Sequence, residues 1–281
     1  MISWLKFKNF INKLLNNNKQ VALIWFGLVF LSLLGVVLNH SYNNFIIFKQ
    51  SFFHLKQQLN LYSIYPSEYW DHYYYSPTFA ILVAPFTFVP SFLGPFSWGL
   101  MDAGILYYAI RKLPISLYSQ NGILLLSVHE MMNNSSNLQS NGLIAGSIIL
   151  SFVFLHKQKE HSATLSLLLG FFIKLYGIVG LAFFFFSKQK GKFIGYLILW
   201  IIVLALLPLL ITSPDFLIQS YKDWFASLSV KSNFDLTVDM YKNMVDIRIQ
   251  GMVKRVFNLP TLNKFYFIIP GLILFAYQYT K

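Results

Sequence analysis

The chain has no cysteine and carries little charge of either sign. Its 281 residues include 10 Asp or Glu and 22 Lys or Arg, and charged residues make up 11% of the total, whereas ordinary soluble domains have roughly 25%. The lack of cysteine excludes a disulfide framework and any metal site built on thiolates. The shortage of charge argues against a soluble domain, because too little polar sequence remains to cover a core.

Apolar residues dominate what is present. They make up 56% of the chain, the mean hydropathy is +0.54, and several apolar runs approach the roughly 20 residues that a helix needs to cross a bilayer. We therefore expect an integral membrane protein, all-α because lipid leaves such runs no other way to satisfy their backbone. The net charge of +12 indicates positive-inside bias rather than a nucleic-acid partner, because the basic residues cluster between apolar runs.

The first span is predicted at about Gln20–Asn39. The lysines before it make 1–19 a cytoplasmic segment and place 40–75 outside. Part of this outer loop predicts an amphipathic helix lying in the membrane interface. Its apolar side has Phe45, Phe48, Phe52, Leu55 and Leu59, and its polar side mostly has Lys49, His54 and Lys56.

The remainder of the membrane domain, 20–281, predicts further spans. They are a hairpin of Pro77–Phe88 and Phe92–Ile110, a short run at about Leu117–Met132, and spans at about Leu143–His156, Leu197–Ile211 and Phe265–Tyr279. Asn133–Asn141 is predicted as a polar loop, and Thr212–Lys264 as a second outer loop. With the region around Lys174, this gives a polytopic helical bundle of about eight spans or half-spans.

Lys174 interrupts the apolar region Ser162–Phe186, and basic clusters at Lys157 and Lys188 flank that region. Both clusters favour the cytoplasm, but a single crossing between them would put them on opposite sides. The region is either one ordinary span or two short half-helices that meet near Lys174, and we favour the second. A lysine inside an apolar run is a functional candidate with phosphate as its natural partner; the alternative is a lysine that snorkels to the interface.

The tyrosine-rich segment Tyr62–Pro90 carries two acids, Glu68 and Asp71, and leads into an apolar run. A carboxylate among aromatic rings is partly desolvated, which raises its pKa and suits a general base. The alternative is an interfacial aromatic belt in which the acids only cap or pair. Seven of the ten acids fall in the two predicted outer loops, which favours chemistry on that side.

Three amides, Asn137, Gln139 and Asn141, could bind sugar hydroxyls, although such residues are also common in loops. The histidines show no metal-binding spacing, so we expect no metal. The sequence has no P-loop, no G-x-G-x-x-G and no G-x-S-x-G, which gives no support to nucleotide hydrolysis, a dinucleotide-binding domain or a serine-hydrolase nucleophile.

Three segments resemble motifs of glycosyltransferase family 87, and the resemblance covers about Gln20–Trp224. Tyr75-Ser76-Pro77-Thr78-Phe79-Ala80 is similar to the family's Y-P-P-x-F-A segment, with Ser76 at the first proline. The run from Asn137 to Asn141 resembles its N-G-Q-x-N, with Leu138 at the glycine. The run from Ile173 to Gly177 resembles its I-K-x-Y-P, with Gly177 at the proline.

The resemblance implies a GT-C-like membrane enzyme that moves a mannose-like hexose from a polyprenyl-phosphate donor to a lipid or glycan acceptor, with inversion. Asp71 would be the base and Glu68 the alternate, and Lys174 would contact the donor phosphate. Asn137, Gln139, Asn141, Tyr75 and Asn44 would contact donor or substrate. No cofactor is implied. The expected location is the bacterial plasma membrane, with the active site on the outer face.

Two departures from the family pattern keep other functions open. Family members commonly have an acid after the first span, where this chain has Asn44, and they usually continue through more C-terminal spans. An inactive, truncated relative that serves as a partner subunit is therefore an alternative. A transporter or lipid-handling protein is another, because intramembrane lysines and broken helices occur there too.

Overall fold

The computed structural model describes residues 4–90, 92–237, 249–259, 262–263 and 265–277, and every regular element in these ranges is helical. The chain divides into two compact units, Met1–Trp224 and Phe225–Lys281. The α-helices are α1 (Trp4–Leu15), α2 (Asn18–Leu38), α3 (Asn43–Gln57), α4 (Pro77–Leu82), α5 (Ala84–Thr87), α6 (Gly94–Arg111), α7 (Leu117–Ser136), α8 (Asn141–His156), α9 (Glu160–Ile173), α10 (Lys190–Leu206), α11 (Pro214–Thr237), α12 (Ile249–Phe257) and α13 (Phe265–Tyr277). Leu175–Phe186 and Leu207–Leu210 are 3₁₀ helices.

The first unit is built from long helices that alternate in direction. The indole of Trp25 in α2 donates to the carbonyl of Ala103 in α6 at 3.3 Å, and Leu33, further along α2, packs on Gly99, earlier in α6. These two helices are therefore antiparallel. Gly142 and Gly146 of α8 approach Asp102 and Ile105 of α6, so α6 and α8 are parallel, and α7 returns the chain between them.

The region around Lys174 is a hairpin, which we call the Lys174 hairpin: α9, Lys174 and the 3₁₀ helix Leu175–Phe186. Lys174 has extended backbone, with φ −142° and ψ 144°. After it the chain runs back along α9, because Gly177 abuts Gly170 and Gly180 abuts Leu167. At the open end of the hairpin, Ser187 Oγ donates to Glu160 Oε1 at 3.2 Å. Two helical pieces thus join at Lys174, as predicted; that each is a half-span stays a prediction.

This reversal resolves the charge conflict in the sequence, because it brings the two basic clusters that flank the hairpin to one end of the unit. The start of α2 lies at the same end, where Asn121 at the start of α7 donates to the carbonyl of Leu15 at 2.7 Å. We call this the basic end; its charged residues include Lys13, Lys19, Arg111, Lys112, Lys157, Lys159, Lys188 and Lys190. We call the opposite end the acidic end; it carries Glu68, Asp71 and Asp223 among others. Asp239 and Asp246 lie outside the described residues.

The predicted outer-loop helix exists, but it is shorter and more deeply packed than its sequence pattern indicates. It ends at Gln57, so Leu59 lies beyond it and is 42% exposed. Its apolar side packs on the helical body, where Phe48 meets Phe79 and Trp98 at ring-centroid distances of 5.1 and 5.2 Å. His54, expected on the polar side, is buried, because the tyrosine-rich segment covers that side too.

The predicted span Pro77–Phe88 is not a span in the structure. It consists of α4 and α5, which have 6 and 4 residues. Ser76 caps α4 by accepting the N–H of Phe79 at 3.1 Å, and its hydroxyl bonds the carbonyl of Phe172 beside the hairpin tip. Thr78 donates to the carbonyl of Leu204, near the end of α10, at 2.9 Å. These short helices therefore stay at the acidic end.

Other predicted boundaries move by a few residues. α7 extends through Ser136, so part of the expected polar loop is helical and the loop itself is 137–140. The predicted outer loop 212–264 contains α11 and α12. In the second unit, Gln250 of α12 donates to the carbonyl of Leu262 at 2.6 Å, just before α13.

Within the described ranges, two helical stretches are long and apolar enough to cross a membrane, Asn18–Leu38 and Lys190–Leu210. The first coincides with the span predicted at Gln20–Asn39. On the second, Ile198, Ile202 and Leu206 are each about half exposed. Large exposed apolar surfaces of this kind mark contact with lipid or protein, and here they indicate a membrane protein.

Candidate active site

Four of the sequence-predicted site residues meet at the tip of the Lys174 hairpin. Lys174 Nζ donates to Asn141 Oδ1 at 3.3 Å and lies 5.1 Å from the ring centroid of Tyr75. Asn141 Nδ2 donates to Gln139 Oε1 at 2.7 Å. Tyr75, Gln139, Asn141 and Lys174 thus form one cluster, which we call the Lys174 site, with the side chain of Asn141 exposed.

The tip is built by local backbone chemistry. Helix α9 ends at Ile173, and the extended backbone of Lys174 starts the reversal. The reversal requires Gly177, because a Cβ there would lie 2.1 Å from the amide nitrogen of Phe171 and 2.2 Å from the carbonyl carbon of Gly170. An ammonium at the tip of a hairpin can reach solvent or a headgroup that the arms of the hairpin cannot reach.

The loop between α7 and α8 holds the amides. Leu138 has a positive φ of 47°, a conformation that glycine adopts at least cost. The Leu138 side chain is 1% exposed, so burial anchors the strained residue. The carbonyl of Gln139 accepts the indole N–H of Trp98 at 3.2 Å.

Asn137 and Asn44 lie beside the cluster rather than within it. The side chain of Asn137 donates back to the carbonyl of Asn133 at 2.8 Å. Asn44 Nδ2 donates to the backbone carbonyl of Asn137 at 2.7 Å. Asn44 therefore ties the outer-loop helix α3 to the amide loop.

Tyr75 forms the floor of the Lys174 site. Its ring stacks on Phe79 at 4.6 Å and meets Phe48 edge-on at 4.9 Å. Burial raises the pKa of Tyr75, the nearby Ser140 hydroxyl opposes this shift, and the charges of Asp102 and Asp71 add to it. The phenol is therefore neutral at physiological pH.

Beneath the site lies Asp102, which sequence reasoning missed. This carboxylate is fully buried; Oδ1 accepts the N–H of Leu143 at 2.6 Å, and Oδ2 accepts Asn134 Nδ2 at 2.5 Å. Leaving a charge inside an apolar helix uncompensated costs on the order of 3 kcal/mol by insertion scales. The signal in the sequence was the same as for Lys174, an ionisable residue within the predicted span Phe92–Ile110.

Asp71 and Glu68, the two candidate bases, have different surroundings. Asp71 is partly buried, and its Oδ1 accepts the N–H of His72 at 2.7 Å. Asp71 precedes Tyr75 in the same segment, and its charge adds to burial in raising the pKa of that phenol. Glu68 Oε2 lies 2.9 Å from Nε2 of His54, and the two side chains are 31% and 3% exposed.

Glu68 also lines an open groove of about 310 Å³, together with Asn43 and Trp70 among others. Asn43 Oδ1 accepts the backbone N–H of Trp70 at 3.2 Å, and the indole of Trp70 is 79% exposed. The next residue of α3, Asn44, bonds the amide loop at Asn137, so α3 contributes both to the groove and to the contact with the amide loop. Burial lowers the pKa of His54, and attraction to Glu68 opposes this.

These groups can do a limited set of chemistry. An ammonium with amides and a phenol can bind an anionic oxygen, and the nearby carboxylates can accept a proton. Among the described residues, no three His, Asp or Glu side chains group as ligands for a metal ion.

Comparison with known proteins identifies a family match. The sequence profile of glycosyltransferase family 87 matches residues 73–278, which is most of the chain. The match includes Tyr75, the amide loop and Lys174, and it begins after Glu68, Asp71 and Asn44. No curated protein and no solved structure matches the chain significantly. The chain belongs to glycosyltransferase family 87.

Proposed function

We propose that this glycosyltransferase moves a hexose from a polyprenyl-phosphate sugar to a lipid or glycan acceptor at the outer face of the membrane. The observation that carries the proposal is the Lys174 site, where an ammonium at a hairpin tip meets Asn141 above the ring of Tyr75. A lipid-linked donor presents its phosphate at the depth of the bilayer surface. A single cation supported by amides and a phenol suits that phosphate diester.

The proposed reaction is an inverting displacement. A carboxylate removes the proton of an acceptor hydroxyl, and the oxygen attacks the anomeric carbon while the bond from that carbon to the phosphate oxygen breaks. The electron pair of the broken bond leaves with the polyprenyl phosphate, and Lys174 stabilises the charge that develops there. The carboxylate ends protonated, so atoms and charge balance without a cofactor.

Asp71 remains the preferred base, because Glu68 is engaged with His54 at 2.9 Å, whereas Asp71 lies in the chain segment that leads directly into Tyr75 of the Lys174 site. Glu68 remains the alternate base. Its groove, with the exposed ring of Trp70, is the side from which we expect the acceptor to approach, since aromatic faces and carboxylates suit sugar rings and hydroxyls.

We further propose that the basic end faces the cytoplasm, following the positive-inside rule. The seven long arms of the first unit (α2, α6, α7, α8, the two arms of the Lys174 hairpin and α10) would then cross or nearly cross the membrane, with α13 as a further apolar segment. In this GT-C-like arrangement the hairpin tip lies on the outer side of a bacterial plasma membrane, and α3 lies at the interface.

The test is transfer by purified protein in lipid, with labelled polyprenyl-phosphate hexoses as donors and extracted membrane lipids as acceptors. Asp71→Asn should abolish transfer while leaving membrane insertion intact, and Glu68→Gln should retain it. Asp215→Asn, which changes an exposed acid at the start of α11, is the matched control and should keep wild-type turnover. Retained turnover in Asp71→Asn would remove Asp71 from the role of base, and no transfer from any donor would overturn the proposal.

A further inference from the structure

The proposed reaction makes no use of Asp102, although this acid is fully buried directly beneath the Lys174 site. Its two oxygens accept from two different elements: Oδ1 from the backbone of Leu143 at 2.6 Å, and Oδ2 from the side chain of Asn134 at 2.5 Å. The Asp102 carboxylate of α6 therefore hydrogen-bonds both the N-terminus of α8 and the end of α7.

Asn134 passes this contact on to Asn141. Its amide donates to Asp102 through Nδ2, and its Oδ1 accepts the backbone N–H of Asn141 at 3.0 Å. Asn141 in turn accepts from Lys174. Three hydrogen bonds, joined through the covalent structure of Asn134 and Asn141, thus connect the buried carboxylate to the ammonium at the hairpin tip.

One further feature ties Asp102 to this place. A Cβ on Gly142 would lie 2.7 Å from Asp102 Oδ2, so the glycine allows the N-terminus of α8 to approach the carboxylate.

We infer that Asp102 is a positioning residue: through Asn134 it fixes Asn141, and so Lys174, in the geometry that binds the donor phosphate. This inference rests on the proposed function, because it concerns the same phosphate.

The chemistry of the amide makes the inference testable with small changes. In Asp102→Asn, one side-chain oxygen can still accept from Leu143, but the new NH₂ group faces Asn134 Nδ2, also a donor. Asn134 must then turn its oxygen toward position 102, and the N–H of Asn141 loses its acceptor. The cap on α8 survives, while the link to the site breaks.

The exchanged pair Asp102→Asn with Asn134→Asp should rebuild the link. A carboxylate at position 134 accepts both from the new amide at 102 and from the N–H of Asn141, and the oxygen at 102 still accepts from Leu143. Asn134→Asp alone places two carboxylates in contact and should weaken binding more than Asp102→Asn or the exchanged pair does.

The experiment measures binding of a polyprenyl phosphate without sugar to wild type and variants in lipid nanodiscs, together with the thermal stability of each. Asp102→Asn should raise the Kd by roughly ten- to a hundredfold, as expected when a hydrogen bond to a charged phosphate is lost, and the exchanged pair should return it to near the wild-type value. Asn134→Ala, which leaves the carboxylate on Leu143, should weaken binding in the same direction.

A purely structural Asp102 would change stability but not the Kd of the folded protein. The inference is overturned if folded Asp102→Asn or Asn134→Ala binds like wild type, if the exchanged pair stays as weak as Asp102→Asn, or if none of these variants folds. If wild type itself does not bind polyprenyl phosphate, the proposed function fails and this inference falls with it; wild-type binding with unchanged variants rejects the inference alone.

Discussion

Gly177→Ala tests the Lys174 hairpin most sharply, because the added methyl has nowhere to go. It would lie 2.1 Å from the nitrogen of Phe171 and 2.2 Å from the carbonyl carbon of Gly170, and both are backbone atoms. Ordinary contact needs well over 1 Å more, so the two arms must separate at the tip. Overpacking of buried sites costs about 1–3 kcal/mol, occasionally more, and rigid backbone on both sides puts this variant at about 3 kcal/mol.

Gly180→Ala in the same 3₁₀ helix is the matched control. Its methyl would lie 3.2 Å from the Cγ of Leu167, a side chain that can yield, so we expect less than about 1 kcal/mol. The assay compares the unfolding free energies of both variants in mixed micelles, with binding of polyprenyl phosphate as a second readout. If Gly177→Ala is as stable as Gly180→Ala and binds as tightly, the close approach of the two arms is wrong.

Three further predictions concern other parts of the first unit. Burial holds the folded-state pKa of His54 below its ordinary value of 6.5. Because the unfolded chain then binds a proton at a higher pH than the folded chain, the unfolding free energy should fall as the pH drops below about 6.5. Glu68→Gln removes the attraction that opposes this shift and should steepen the fall, which a plot of unfolding free energy against pH would measure. Leu138→Gly should be net destabilising by about 1–3 kcal/mol in the same assay. Losing a buried leucine costs about 2–5 kcal/mol, while relief of the positive φ returns about 1–2 kcal/mol. A stabilised variant would contradict this prediction. In a chain without cysteine, Lys159→Cys with Lys188→Cys, at the exposed neighbours of the bonded pair Glu160 and Ser187, should be joined by a flexible thiol-to-thiol cross-linker. No cross-link in folded protein would reject the reversal.

The sequence correctly predicted features that are chemically unusual for their surroundings. Lys174 is a charge in an apolar run between two basic clusters, and that conflict predicted the break that the structure has. The first span and the all-helical class follow from composition for a similar reason, because lipid allows few solutions.

It failed where burial is decided by packing between distant segments. His54 was expected on a polar helix side, but the tyrosine-rich segment folds over it and brings Glu68 to 2.9 Å. Pro77–Phe88 has the hydropathy of a span, yet the caps and hydrogen bonds of Ser76 and Thr78 hold it as two short helices at the acidic end.

The candidate site was predicted only in part, because its assembly also depends on packing between distant segments. The residues of the Lys174 site could be named individually from their types and from the family pattern, but their meeting point depends on the hairpin and on α8. Asp102 was visible in the sequence only as an acid within a predicted span; its link to the site could not be predicted, because its partners, Asn134 and the amide of Leu143, lie more than thirty residues away.

The most direct test of the central claim is hexose transfer from labelled polyprenyl-phosphate donors by wild type and Lys174→Met in lipid. Lys222→Met, which changes an exposed lysine of α11, is the control. We predict transfer by wild type and by the control, and a loss of about a hundredfold or more in Lys174→Met, as for other groups that stabilise developing charge. Wild-type turnover in a correctly folded Lys174→Met variant would contradict the account.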